Sequence, residues 1–295
     1  MYLGSTNSVH HDSFEVYGWF FASFLYLCQF LTLLALPQAV FNFLGFTVYN
    51  PFPHVVPSPT QKSPLLVPYI CFRVVTRGDY PELVRNNVNR NVNTCLDGGL
   101  INFVVEVVTD KSIGLSPTDR VREVVVPADY RTRSGAMFKA RALQYCLEDS
   151  VNVLSDDDWV VHLDEETLLT SSSIVNYFLT LCDTVRVAED MGKIQFQLRA
   201  LHMPLLGWKG SFVVSNLGAE RKVTYDNGPD SSVAEDTYFG ILAASQGHSF
   251  DFVNGEMWEK SPFNIPDFIK QRKRWLQGLL LVAHSSKIPL KFDII

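Results

Sequence analysis

Trp159-Val160-Val161-His162-Leu163-Asp164-Glu165-Glu166-Thr167 is the stretch on which the reading of the fold turns. Its apolar start, Trp159-Val160-Val161, reads as a buried strand that ends near His162. Two carboxylates two residues apart, Asp164 and Glu166, follow where that strand ends. On an extended chain, residues i and i+2 point the same way. Hard oxygen ligands on one side suit Mn²⁺ or Mg²⁺ holding a diphosphate. An acidic pair after a strand also occurs as a solvated loop. Three other features give the pair its weight: Asp110, the pair Glu235-Asp236, and Gln271-Arg272-Lys273-Arg274-Trp275.

Outward from this stretch, strand and helix patterns alternate. Tyr69 to Val75 reads as a strand, and Pro81 to Leu96 as a helix with Pro81 in its first turn. Ile101 to Val108 is a second strand and Val124-Val125-Val126 a short third. Ser134 to Leu147 places Met137, Ala140, Leu143 and Leu147 at helical spacing. Such alternation predicts an α/β fold, a mostly parallel sheet with helices on both faces. Ligands bind beyond the carboxyl ends of strands in these sheets, and Asp110 and Asp164 both fall there. Further on, Phe212-Val213-Val214 and Val223-Thr224-Tyr225 read as strands that pair with each other. Asn227 to Asp230 is a turn. Glu235 to Gln246 reads as a helix ended by Gly247, and Phe250 to Val253 as another strand.

The chain has 295 residues, 47% hydrophobic and 19% charged, with a mean hydropathy just above zero. That length holds one good-sized core and an appendage. The net charge of −6 gives no support to a nucleic-acid partner. The five cysteines, Cys28, Cys71, Cys95, Cys146 and Cys182, have no metal or redox spacing and read as free thiols in a reducing compartment. No charge interrupts Val16 to Thr47. This run is long enough for a transmembrane helix that Pro37 would kink or end, with Tyr17, Trp19 and Tyr49 as interface anchors. The start lacks Lys and Arg and carries Asp12 and Glu15, against a signal peptide. Basic Lys62, Arg73 and Arg77 follow the run, which places what comes after it in the cytosol. Six prolines between 50 and 68 make a stiff linker. The expected organisation is a tail (1–15), an anchor (16–48), a linker (49–68), a catalytic domain (69–265) and an amphipathic interfacial helix leading into membrane segments (266–295).

The remaining candidates each admit a chemical and a purely structural role. Asp110 is placed to accept hydrogen bonds from a nucleobase or ribose, and equally to cap a turn. Arg133 and Lys139, in Arg131 to Gly135 and Lys139 to Leu143, put cations beside the nucleotide site, or on a solvated helix face. Glu235-Asp236 opens a helix, where acids complement the helix dipole and where one of them could take a proton from an acceptor hydroxyl. Gln271, Arg274 and Trp275 lie on a basic amphipathic helix from about 266 to 282 that suits a membrane interface or an ordinary core.

Taken in order, Asp110, Asp164-Glu165-Glu166, Glu235-Asp236 and Gln271-x-x-Arg274-Trp275 resemble the four signatures of the inverting family 2 glycosyltransferases. Tyr69 to Asp79, His162 to Leu169 and Gln271 to His284 resemble, more narrowly, the egghead-type β-1,4-mannosyltransferases of invertebrates. The resemblance covers nearly everything after residue 60. It implies a GT-A (Rossmann-like) fold and transfer of mannose from GDP-mannose to glucosylceramide in glycosphingolipid synthesis, at an endoplasmic reticulum or Golgi membrane. It also implies roles: Asp110 and Asp164 at the donor, Asp164 and Glu166 at the metal, and Asp236 as the base beside Glu235. Gln271, Arg274 and Trp275 would cover the acceptor or diphosphate. A glucosylceramide synthase-like or polysaccharide synthase-like enzyme fits the same motifs, as does a catalytically dead membrane protein of this fold. Against the resemblance, the chain reads as shortened between Thr170 and Gly210, and it stops at Ile295, short of further membrane segments.

Overall fold

The computed structural model describes residues 13–49, 69–97, 100–169, 191–211, 213–252 and 265–289. The tail, most of the linker and 170–190, where much of the expected shortening falls, lie outside the described residues. Five strands form one sheet: β1 (Ile70–Thr76), β2 (Phe103–Thr109), β3 (Val121–Val125), β4 (Trp159–Asp164) and β5 (Val213–Asn216). Their order is β3-β2-β1-β4-β5. The first four are parallel and β5 runs antiparallel to β4. This is the mostly parallel α/β sheet that a GT-A fold requires.

Both faces of the sheet are covered, which is why its central strands read as largely apolar runs rather than alternating ones, with Arg73, Glu106 and His162 the charged or polar exceptions before their last residues. Every residue of β2 is buried. On one face, Val84 and Val88 of α3 (Pro81–Asp97) pack on Phe72, Val74 and Val107. Burying such a valine contributes about 1.5–3 kcal/mol. On the other face, α4 (Phe138–Tyr145), α6 (Leu217–Val223) and α7 (Glu235–Ser245) bring Leu143, Leu217 and Phe239 against Cys71 and Val160. The chain lays β2 and β3 on one side of β1, then crosses to put β4 on the other. The crevice beyond the carboxyl ends of β1 and β4 is therefore a topological switch point, where such sheets bind ligands. Asp164 ends β4 there, in register with Val75.

Two expected strands are absent. Residues 217–223 form α6, capped by the Asn216 carbonyl oxygen Oδ1, which accepts from Ala219 N at 3.3 Å. Its Glu220-Arg221-Lys222 are helix formers, and Thr224 breaks it at φ 63°. The strand beside β4 is β5, so the expected pairing of 213–214 with 223–225 is replaced by pairing with β4. Phe250 and Phe252 have no ladder: the Phe250 ring packs on Trp208 and its N–H donates to His202 O at 3.2 Å. Alternating apolar residues there reflect two separate contacts, not a pleat; Val253 lies outside the described residues. The helix expected from Ser134 starts at Phe138, because 131–135 turn and Ser134 N donates to Asp226.

The single anchor expected over 16–48 is two helices, α1 (Ser13–Leu31) and α2 (Leu36–Val48), joined by a 3-10 turn over Thr32–Ala35. Gly18, at φ 72°, breaks α1, and Pro37 sits in the first turn of α2. Among the described residues no helix is long and apolar enough to cross a membrane. The last helix, α8, spans Ile265–Ala283 as expected, and 191–200 are helical (α5).

Candidate active site

The acidic loop is held from behind by α3. Asn87 Nδ2 donates to Glu165 O at 2.8 Å, and Asn91 Nδ2 donates to Thr167 O at 3.1 Å. The Asn91 carbonyl accepts from Leu169 N at 2.9 Å. The strand stops at Asp164, and Thr167 N closes a turn onto Asp164 O at 3.0 Å. Extended-chain geometry therefore does not carry to Glu166, and strand alternation does not put Asp164 and Glu166 on one side. The middle acid, Glu165, is a tie to the sheet: its carboxylate accepts from the Thr76 hydroxyl at the end of β1.

Lys139, in the first turn of α4, gathers the acids. Its Nζ lies 2.8 Å from Asp164 Oδ1 and 3.7 Å from Glu235 Oε1, and donates to Gly210 O at 3.4 Å. Asp236, beside Glu235 at the start of α7, presses so closely on the 207–211 loop that a Cβ on Gly210 would lie 2.7 Å from its Oδ2. Lys139, Asp164, Glu235 and Asp236 are thus brought together. One lysine stands among three carboxylates, and the charges settle unequally. Burial alone would raise the Asp164 carboxyl, but Lys139, Lys209 and Arg274 hold it below the usual range. Burial pushes Glu235 up to about 7, with Asp236 adding to the rise despite Lys139. Asp236 is raised chiefly by burial. A group poised near 7 can take a proton at neutral pH.

A cavity of about 20 Å³ lies among Lys139, His162, Trp208, Tyr225, Glu235 and Asp236. It has room for a water but not for a nucleotide sugar, whose pocket would be an order of magnitude larger. Asp110 stands apart, two strands from Asp164 on the same edge, paired with Arg141 of α4 at 2.5 Å. Arg133 is exposed on the 131–135 turn. On α8, Arg274 acts on Asp164 through charge, and Trp275 takes the Arg272 guanidinium over its ring at 3.8 Å. Gln271 accepts from Arg272 at 3.0 Å. Among the described residues no three His, Cys, Asp or Glu side chains are arranged to hold a metal. The donors present fit only the mode in which one or two carboxylates share a divalent cation with substrate phosphate.

Directly beneath lies a charged row that the sequence reading passed over. Glu106, Arg73 and His162 are in register on three adjacent strands. Arg73 Nε lies 2.6 Å from Glu106 Oε1 and its Nη1 3.3 Å from Glu220 Oε2. His162 Nε2 is 2.5 Å from Glu220 Oε1, which also accepts from Ser215 at 2.5 Å. Trp208, Lys209 and Gly210 were missed as well. Their sequence signal was the pair of glycines flanking Trp208-Lys209, Gly207 and Gly210, the first at φ 97°.

Residues 171–292 match the family described as glycosyl transferase family group 2. The chain is 54% identical over 310 residues to the β-1,4-mannosyltransferase egh of Drosophila melanogaster, covering 96% of this chain and 67% of that protein. It is 51% identical over 309 residues to the β-1,4-mannosyltransferase bre-3 of Caenorhabditis elegans, covering 96% of this chain and 68% of that protein. With bre-3 of Caenorhabditis briggsae the identity is 52% over 300 residues, 93% of this chain and 66% of that protein. The aligned span with egh exceeds the 295 residues of this chain, so the chain lacks some internal sequence that this relative has.

Proposed function

This chain belongs to the family 2 glycosyltransferases, and from that premise we propose that it moves mannose from GDP-mannose to glucosylceramide in a β-1,4 linkage. The observation that carries the proposal is the cluster of Lys139, Asp164, Glu235 and Asp236 at the switch point of the sheet. The donor diphosphate lies toward Asp164, Lys139 and Arg274, and the nucleoside toward Asp110. Asp236 accepts the proton of the attacking acceptor hydroxyl, and Glu235 shares the charge. That oxygen bonds to the anomeric carbon as the bond to the diphosphate oxygen breaks on the opposite face. One displacement with no covalent intermediate inverts the centre, so an α-linked donor gives a β product. Mn²⁺ or Mg²⁺, held by Asp164 and Glu166 together with phosphate oxygens, would neutralise the departing diphosphate. Gln271, Arg274 and Trp275 cover the acceptor or diphosphate from α8.

A lipid acceptor agrees with the exposed apolar groups. Ile269, Leu276 and Leu280 stand 60–62% exposed on α8, and Trp19, Phe20 and Phe43 are 68–88% exposed on α1 and α2. We assign the chain to an endoplasmic reticulum or Golgi bilayer with its catalytic domain in the cytosol. The test is transfer by purified protein in detergent, with glucosylceramide, Mn²⁺ or EDTA, and each labelled sugar nucleotide in turn. Label from GDP-mannose alone, lost with EDTA, is the expected result. Transfer from UDP-glucose would replace the substrate assignment. Protease treatment of sealed microsomes should digest residues after 69.

A further inference from the structure

The loop above the acids is fastened by a buried amide. Gln197 of α5 is fully buried. Its Oε1 accepts from Leu206 N at 2.7 Å and its Nε2 donates to Gly207 O at 2.9 Å. Both ends of one side chain thus grip consecutive residues. Gly207 then turns the chain at φ 97°, and Trp208 drops onto α7, its Cβ and Cγ within about 3 Å of where a Cβ on Gly240 would stand. Trp208 O accepts from Thr237 at 3.5 Å, and Gly210 O accepts from Lys139. The position of this loop decides how closely Lys139 and Asp236 approach.

The helix that carries Gln197 is in turn docked on α2. A Cβ on Gly45 would run into the Gly192 carbonyl, and one on Gly192 would stand 2.9 Å from Asn42 O. Asn42 Oδ1 accepts from Lys193 N at 2.7 Å, and Phe41 packs edge-on to Phe196 with centroids 5.0 Å apart. Two glycines at one crossing permit a backbone approach that no other residue allows. A side-chain bond to a helix backbone fixes the register of that approach. An unbroken set of contacts therefore runs from α2 through α5 and the 206–210 loop to the acids.

We propose that α2 is part of the catalytic unit and that Gln197 is a positioning residue, through which α2 sets the 206–210 loop against Lys139 and Asp236. This rests on the reading of Glu235 and Asp236 as the transfer site. The N-terminal helices then do more than tether the enzyme. Through α2 they hold Asp236 and the 206–210 loop in working geometry, and they reach the donor side only through Lys139.

The test uses the full chain in detergent with three variants, Gln197→Met, Asn42→Ala and Gly45→Ala. Methionine keeps the volume of glutamine and removes both hydrogen bonds. Gln197→Met is expected to lower kcat by roughly 10- to 100-fold, the range that follows a misplacement of about 1 Å, while calorimetric binding of GDP with Mn²⁺, coupled to the loop only through Lys139, weakens by a smaller factor. Trypsin cleavage after Lys209 should accelerate relative to cleavage elsewhere. Asn42→Ala should move kcat and Lys209 cleavage the same way by a smaller factor. Gly45→Ala should do so more strongly, or fail to fold, leaving Asn42→Ala to decide. Unchanged kcat and unchanged Lys209 cleavage in Asn42→Ala would remove α2 from the catalytic unit. A fall in melting temperature with kcat per folded molecule intact would reduce Gln197 to a fold element. If the wild-type protein transfers no sugar, the functional reading fails by itself, and cleavage after Lys209 still decides whether the clamp exists.

Discussion

Two clusters of ionisable groups lie back to back, divided by His162, and they resolve the same problem in opposite ways. The inner one, Arg73, Glu106, His162 and Glu220, is sealed within the sheet and α6, with every carboxylate matched by a cation or donor. Burial pulls against the charged forms there, yet Glu220 is held below its usual range by His162, Arg73 and Ser215, and Arg73 is raised by Glu106. The outer one has a single lysine in contact with its acids, with Lys209 and Arg274 acting on Asp164 from further off, and Glu235 is pushed up to about 7. Burial is common to both. Charge balance decides whether it yields a rigid strut or a reactive group. Unequal pKa values among neighbouring acids are how one site keeps separate roles for its carboxylates.

The comparison breaks first if the inner cluster is dispensable. Glu220→Ala leaves one arm of Arg73 buried without its carboxylate and leaves the His162 Nε2 with only the Tyr225 hydroxyl, 3.3 Å away. Removing one member of a buried ion pair costs about 3–5 kcal/mol, and thermal unfolding should fall by on the order of 10 °C. A loss below about 1 kcal/mol would show that the row is not structural. The outer cluster should instead lose chemistry without stability. Asp236→Asn is expected to lower kcat by roughly 10²-fold or more, with nucleotide binding by calorimetry unchanged. If Glu235→Gln is inactive while Asp236→Asn turns over normally, the two acids exchange roles.

The smallest effect is the most discriminating, since the two clusters respond to pH with opposite sign. Glu220 has a lowered folded-state pKa, so its contribution is present above the unfolded value near 4.5 and is lost as pH falls. Glu235 has a raised one, so the folded state binds more protons and stability declines as pH rises from about 4.5 to about 7. Glu235→Gln should remove that decline, worth on the order of 1–3 kcal/mol. Melting temperatures of both proteins from pH 4.5 to 8 test it. Parallel curves would mean that Glu235 is not perturbed by burial.

How much of this was legible in the chain depends on whether local or distant partners make the feature. The parallel sheet was legible, because strands covered on both faces read as largely apolar runs, as Phe103 to Val108 does with Glu106 alone interrupting it. The helix over 265–283 was legible from its apolar spacing. Asp110 and Asp164 were legible beyond the carboxyl ends of strands, and Glu235-Asp236 at the start of a helix. The turn at Glu165 was not legible, since it depends on Asn87 and Asn91, more than seventy residues earlier. Nor was the end of α6, whose Val223 was read with Thr224 and Tyr225 as a strand although the helix runs to Val223 and breaks at Thr224.

The sequence by itself determined the fold class, the family and the candidate carboxylates, because these follow from apolar periodicity, from residue types at element ends and from the order of the motifs. Only the tertiary structure decided that Glu165 is a tie, that Lys139 is the cation among the acids and that Arg73 and Glu106 pair inside the sheet. It alone decided that Gln197 fastens the loop above Asp236. Each of these is set by which side chains meet across distant segments and by how much water and opposing charge the meeting leaves. Spacing along the chain carries no record of either.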